Sequence, residues 1–132
     1  MKLPLLLRLQ ATFAAASLIY LGVSAIRSQT TGEPLSAAAI GPSIAMFVAY
    51  AGCLSLPHIG RIRWYRIAMA VAIVFFGVGG VIGNVTRYME SGLVHYAGFG
   101  AWAVAVAINA YGTVLNIIAA LGLFNHSPAE QR

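Results

Sequence analysis

The chain has 132 residues, 60% of them hydrophobic and only 8% charged, with a net charge of +5. A soluble domain carries about 25% charged residues, so this composition excludes one. The positive balance has no basic cluster with interleaved aromatics, which excludes a nucleic-acid partner and leaves the charges to report membrane topology.

Mean hydropathy is +0.82. The charges divide the sequence into four long uncharged stretches: Arg8 to Arg27, Glu33 to Arg61, Arg66 to Arg87 and Glu90 to Glu130. Each holds about 20 apolar residues, the length of a helix that crosses a ~30 Å hydrocarbon layer. The expected fold is all-α, a four-helix antiparallel transmembrane bundle forming a single integral membrane domain over residues 1–132.

The first span covers 5–26. The basic start Met1 to Arg8, the apolar run from Ala11 and the small residues at Val23-Ser24-Ala25 have the outline of a signal peptide. The uncharged stretch is nevertheless long enough to span, and an uncleaved first helix is expected. Arg27 stops the span, and a polar turn with Gly32 and Pro34 follows. Ser36 is the expected N-cap of the second span, 37–56. Pro42, early in that span, either kinks it or marks an irregular start, and Pro57 ends it. A short basic loop leads to the third span, 65–89, with Gly92 as its expected left-handed cap. The fourth span, 96–124, would reach ~43 Å and must tilt or protrude. The first and third spans share flanking charges and the turn composition after them, a faint likeness that equal orientation also produces.

Lys2, Arg8, Arg61, Arg63, Arg66 and Arg132 fall on one side of a four-span protein, and Arg27 and Arg87 on the other. This asymmetry predicts both termini in the cytoplasm (N-in/C-in). Trp64 and Tyr65 are expected at the inner interface, Tyr88 and Tyr96 at the outer. High Ala, Arg in preference to Lys, and short loops point to a bacterial inner membrane. Short loops also make neighbouring helices antiparallel.

Apolar burial does not drive helix association in lipid, where close backbone approach must. Gly41, Ala45, Ala49 and Cys53 form a small-residue stripe on the second span, expected to be buried against another helix. Ala45→Leu or Ala49→Leu should then weaken the bundle. Gly79 and Gly83 form a GxxxG arrangement on the third span, with Gly77 and Gly80 beside it. Neither stripe specifies whether its partner is the same chain or another copy.

Few residues carry chemistry. Asn109 and Asn116 share one face of the fourth span, with Thr113 between them. They either line a solute or ion path or hydrogen-bond across helices, and the second reading is preferred because no charged neighbour lies in the hydrocarbon region. Asn84, Thr86, Arg87 and Glu90 give the third span a polar end. Arg87 and Glu90 are spaced to pair, and the preferred reading is a snorkelling interfacial Arg rather than a ligand clamp. His58 and His126 fall on one side and His95 on the other. A haem or metal would need more than that pair, and interfacial solvation is the simpler account. Tyr20, Tyr50 and Tyr111 are expected to pack with satisfied hydroxyls. The lone Cys53 has no disulfide partner.

The stretch from Gly79-Gly80 through Gly83 to Arg87-Tyr88 resembles the GGxxGxxxRY segment of the small dimeric fluoride channels. Gly112-Thr113-Val114-Leu115-Asn116 is similar to that family's Gly-Thr…Asn segment. The two fall on the third and fourth spans here, where the family has them on its first helix and at the start of the next. The family's Thr-Thr-Phe-Ser segment and pore phenylalanines have no counterpart. What the resemblance implies is a channel alternative.

The preferred function is a structural or accessory helix-bundle subunit that contacts lipid or other membrane proteins, or a second copy of itself. The first alternative is a small oligomeric channel or transporter with an uncharged polar path through Asn84, Arg87, Asn109, Thr113 and Asn116. The second is a haem-binding or enzymatic subunit. No catalytic, cofactor-binding or metal residues are assigned. Glu33, Glu90 and Glu130 are the only acids and all lie outside the spans, which argues against proton-coupled export.

Overall fold

The computed structural model of the chain describes residues 1–125. It contains four helical spans, each long and apolar enough to cross a membrane. The first is α1 (Leu3–Thr31) and the second α2 (Ile40–Cys53). A 3₁₀ turn, Leu56–Ile59, leads to the third span. That span is composite: α3 (Ile62–Ala72), a π-helical segment (Ile73–Ile82) and α4 (Gly83–Ser91). The fourth is α5 (Phe99–Leu121).

The helix ends have local causes that move them from the expected limits. Arg27 does not stop α1, because arginine is a good helix former. The helix continues until Gly32, whose φ of 79° and N–H bond to the Ser28 carbonyl close it. Thr30 and Thr31 return their hydroxyls to the carbonyls of the preceding turn. Ser36 is not the cap of α2. Ala39 occupies that position without a side-chain bond, and buried Ser36 accepts from the Ala38 N–H at 3.4 Å. Pro42 stands in the first turn of α2, where a missing N–H costs nothing, so it marks the start of the helix. Gly92 follows α4 with a φ of 65°. At 23 residues, α5 is about 35 Å long, close to what a bilayer needs.

The spans form a ring in which α1 lies between α2 and α5, and the third span lies between α5 and α2. One end of this ring carries Met1 and Asn125: Leu3 N–H donates to the Asn125 carbonyl at 2.9 Å and Asn125 N–H to the Met1 carbonyl at 2.8 Å. Arg66 closes α5 at that end, its Nε donating to the Ala120 carbonyl at 3.1 Å, where a cation favours the helix dipole. At the far end the loops are tied together. Leu35 N–H donates to Ser24 Oγ at 2.9 Å, and Ala97 N–H to the Leu35 carbonyl at 3.0 Å.

The close approaches do not use the expected stripes. Gly41, Ala45 and Ala49 are exposed, with Cys53 only partly buried. A Cβ on Gly79 would meet nothing, and one on Gly83 only its own helix's Val78 carbonyl. The contacts are made by Gly77 on Thr113, Gly80 on Asn109 and Gly112 on the Phe13 ring. The π segment is the physical reason on the third span. Its wider turns rotate successive residues differently from an α-helix, so i, i+4 spacing no longer marks one face. The outward face of α2 makes a prediction that reverses the sequence expectation. Ala45→Leu and Ala49→Leu should leave the unfolding of the single bundle within about 0.5 kcal/mol of wild type, as read by thermal denaturation in detergent.

The aromatic residues expected at the interfaces differ in burial. Tyr65 is 0% exposed while Trp64 is 58% exposed, because neighbouring helical residues point about 100° apart. Tyr96 is buried and Tyr88 exposed.

A candidate ligand-binding cavity above a closed core

Near the end that carries Met1 and Asn125, all four spans contribute to one buried polar knot. Gln10 of α1 is 0% exposed, as is Asn116 of α5. Gln10 Nε2 donates to Asn116 Oδ1 at 3.2 Å and approaches Met69 Sδ at 3.1 Å. Tyr50 of α2 donates to the same Asn116 oxygen at 2.7 Å. Tyr65 of α3 donates to Gln10 Oε1. In a low-dielectric interior, each of these groups needs its partner.

Above the knot lies an aromatic layer. Phe13, Phe47 and Phe76 come from three spans, with Phe47 and Phe76 stacked at 4.8 Å and Phe13 edge-on to both at 5.5 and 5.2 Å. Gly112 admits the Phe13 ring against the α5 backbone.

Beyond this layer a cavity of about 220 Å³ opens toward the far end of the bundle. Ser17 and Tyr20 of α1, Ser43 and Phe47 of α2, Phe75 and Gly80 of the π segment, Asn84 and Arg87 of α4, and Asn109 of α5 all line it. Phe75, Gly79 and Ala38 in its wall are exposed, so it is open on that side. Its polar wall is largely self-satisfied. Ser17 donates to the Phe13 carbonyl at 2.8 Å, Tyr20 to the Ala101 carbonyl at 2.9 Å, and Asn109 Nδ2 to the Ala105 carbonyl at 2.8 Å.

Asn84 organises the far rim. Its Nδ2 donates to the Gly80 carbonyl, and its Oδ1 accepts from Tyr96 and, at 3.3 Å, from Arg87 Nη1. Its own carbonyl accepts from Trp102 Nε1 at 3.0 Å, and Trp102 stacks on Tyr88 with centroids 4.5 Å apart. Arg87 therefore turns to Asn84 rather than pairing with Glu90.

The five polar residues singled out from the sequence divide between two places. Asn84, Arg87 and Asn109 meet in the cavity. Asn116 lies in the knot, on the other side of the phenylalanine layer. Thr113 faces Gly77, and its buried hydroxyl has no partner among the described residues. The two segments that resemble the fluoride channels are likewise not assembled into one site, since Gly79, Gly80 and Arg87 line the cavity while Gly112 backs Phe13 and Asn116 belongs to the knot.

Tyr111 donates to the Leu9 carbonyl at 3.2 Å, so the three tyrosines expected to be satisfied have partners. His58, in the 3₁₀ turn, and His95, in the far loop, are exposed at opposite ends. His126 lies outside the described residues. Among the described residues no group of three or more His, Cys, Asp or Glu side chains gathers to hold a metal.

Sequence reasoning missed Gln10. The available signal was its isolation: one uncharged amide in an apolar span must find a partner across helices. Comparison of the chain with known protein families, with curated proteins and with solved structures finds no match.

Proposed function

We propose that the chain is an accessory helix-bundle protein of the membrane that binds rather than converts or conducts. The observation behind this reading is the layering of the bundle. A cavity with a polar rim is separated from the opposite end by three interlocked phenylalanines and by a hydrogen-bonded knot to which every span contributes. A receptacle closed at its base suits capture of a ligand or a partner helix. The exposed face with Gly41, Ala45 and Ala49 offers a surface for lipid, another membrane protein or a second copy.

The test is reconstitution in liposomes. Neither ion nor small-solute flux above protein-free vesicles is expected from the wild-type protein. Flux that Asn116→Leu removes at unchanged stability would make α5 a pore-lining helix. That outcome would favour the channel or transporter reading, for which the polar wall of Asn84, Arg87 and Asn109 is the supporting feature.

Orientation belongs to the same proposal. With both termini and the basic 56–61 turn in the cytoplasm of a bacterial inner membrane, the cavity faces outward. Single cysteines at His58 and Gly32, in a Cys53→Ser background, should label from the inside and the outside respectively. Labelling of position 58 by an impermeant reagent in intact cells would reverse the orientation.

A further inference from the structure

We propose that the cavity holds a single-chain amphiphile with an acidic headgroup, its acid on Arg87 and its tail running inward past Phe75 and Phe76. This deepens the receptacle reading and rests on it.

Charge and depth carry the inference. Among the described residues, Arg87 is the only charged one in the cavity wall. Its partner is a neutral amide oxygen at 3.3 Å, an oxygen that Tyr96 already occupies. Its side chain is exposed, so the guanidinium retains donors for a carboxylate or phosphate oxygen, bonds strengthened by charge on both sides. Asn84 is held by Gly80, Tyr96 and Trp102, and so fixes where that guanidinium stands.

Arg87 lies one turn from the end of the third span at Ser91, the level of lipid headgroups, to which such side chains reach. From there the cavity descends toward the middle of the bundle and ends on the aromatic layer. Its deep wall sets Phe47, Phe76 and Ile108 beside Ser17 and Asn109, whose hydroxyl and amide N–H are spent on carbonyls of their own helices. This is the profile of a lipid: acid at the interface, hydrocarbon below. A cavity of about 150 Å³ holds one benzene, so a volume of about 220 Å³ takes on the order of nine carbon groups, which fits the upper part of one acyl chain and not two. Phe75 and Gly79 along the third span and Ala38 and Arg87 at the rim are all exposed, so the wall is open both alongside the span and at its far end.

The acid can be a fatty-acid carboxylate or the phosphate of a single-chain lysolipid. Both are offered to the protein in nanodiscs of phosphatidylcholine, as myristate and as lysophosphatidate, with myristyl alcohol as the uncharged counterpart. Native mass spectrometry counts bound molecules, and competition against a fluorescent fatty acid gives relative affinity. One acid per chain is expected, with the alcohol at least about tenfold weaker. The acid that binds more tightly identifies the source. Arg87→Gln should reduce acid binding about tenfold and leave alcohol binding unchanged. Gly79→Leu should abolish both, because it fills open space in the wall without disturbing the fold, as its unfolding temperature will report. Arg63→Gln, an exposed charge at the opposite end, should bind as wild type. Equal affinity for acid and alcohol, or unchanged binding by both Arg87→Gln and Gly79→Leu, would overturn the proposal. Liposome flux on the same preparations separates the two readings: conduction would remove the closed receptacle, whereas absent acid binding without conduction would remove only this ligand.

Discussion

Gly112→Ala is expected to destabilise the bundle by about 1–3 kcal/mol, the range for overpacking a close contact. Alanine is ordinarily the better helix residue by about 0.5–1 kcal/mol, so an exposed helical glycine should respond with the opposite sign. At Gly112 the added methyl would fall within the ring of Phe13. That ring is 0% exposed and wedged among Phe47, Tyr50 and Phe76, so it has nowhere to move. Gly41→Ala, with open space around it, is the matched control. Unfolding in detergent measures both. Phe13→Leu should be damaging alone and should recover part of the loss in the Gly112→Ala background, a coupling of about 0.5–3 kcal/mol. Equal stability of Gly112→Ala and wild type would mean that α1 and α5 do not meet at this point.

The second large effect is expected at Gln10. Gln10→Leu removes the acceptor of Tyr65 and a donor to Asn116, leaving buried polar groups unpartnered at a cost of about 1–2 kcal/mol. Asn116→Leu should cost a similar amount, because Gln10 and Tyr50 both donate to its one oxygen. The two losses should not add, since they break the same network. Replacing the abandoned hydroxyl as well, Tyr65→Phe in the Gln10→Leu background, should recover stability, because an apolar pair of similar shape carries no unmet bond. A Gln10→Leu protein that unfolds like wild type would show that the knot contributes little to holding the spans together.

The four spans were legible because charge is so costly in hydrocarbon that its absence marks each crossing. Short loops then left antiparallel neighbours as the only arrangement, and Pro42 had one place in a helix where it does no harm. The site was harder to see. Asn84, Arg87 and Asn109 were recognisable as polar residues in apolar spans, but their convergence depends on which way each helix is rotated. Asn116 looked equivalent to Asn109 on an ideal helix. A phenylalanine from a distant span, admitted by Gly112, separates the two. Trp64 and Tyr65 were read together as interface aromatics, but adjacent helical residues face different ways, and Tyr65 is turned into the bundle. The small-residue stripes misled for a related reason. Spacing shows that backbones are able to approach, not which face of the helix is turned inward.

The π segment of the third span divides the molecule into two parts that can change separately. A helix is a screw, and removing one residue turns everything beyond it by about 100°. In α3 such a deletion would drag Tyr65 and Met69 out of register with Gln10. Between Gly77 and Ile82 of the π segment, beyond the phenylalanine layer, its effect would fall on Gly80 and α4. Asn84 would leave Tyr96, and Arg87 would swing away from the cavity mouth. The knot on the other side would remain as it is. A one-residue insertion or deletion here thus re-aims the rim without unfastening the base, which makes this segment the place where a lineage could alter what the bundle receives while keeping the bundle.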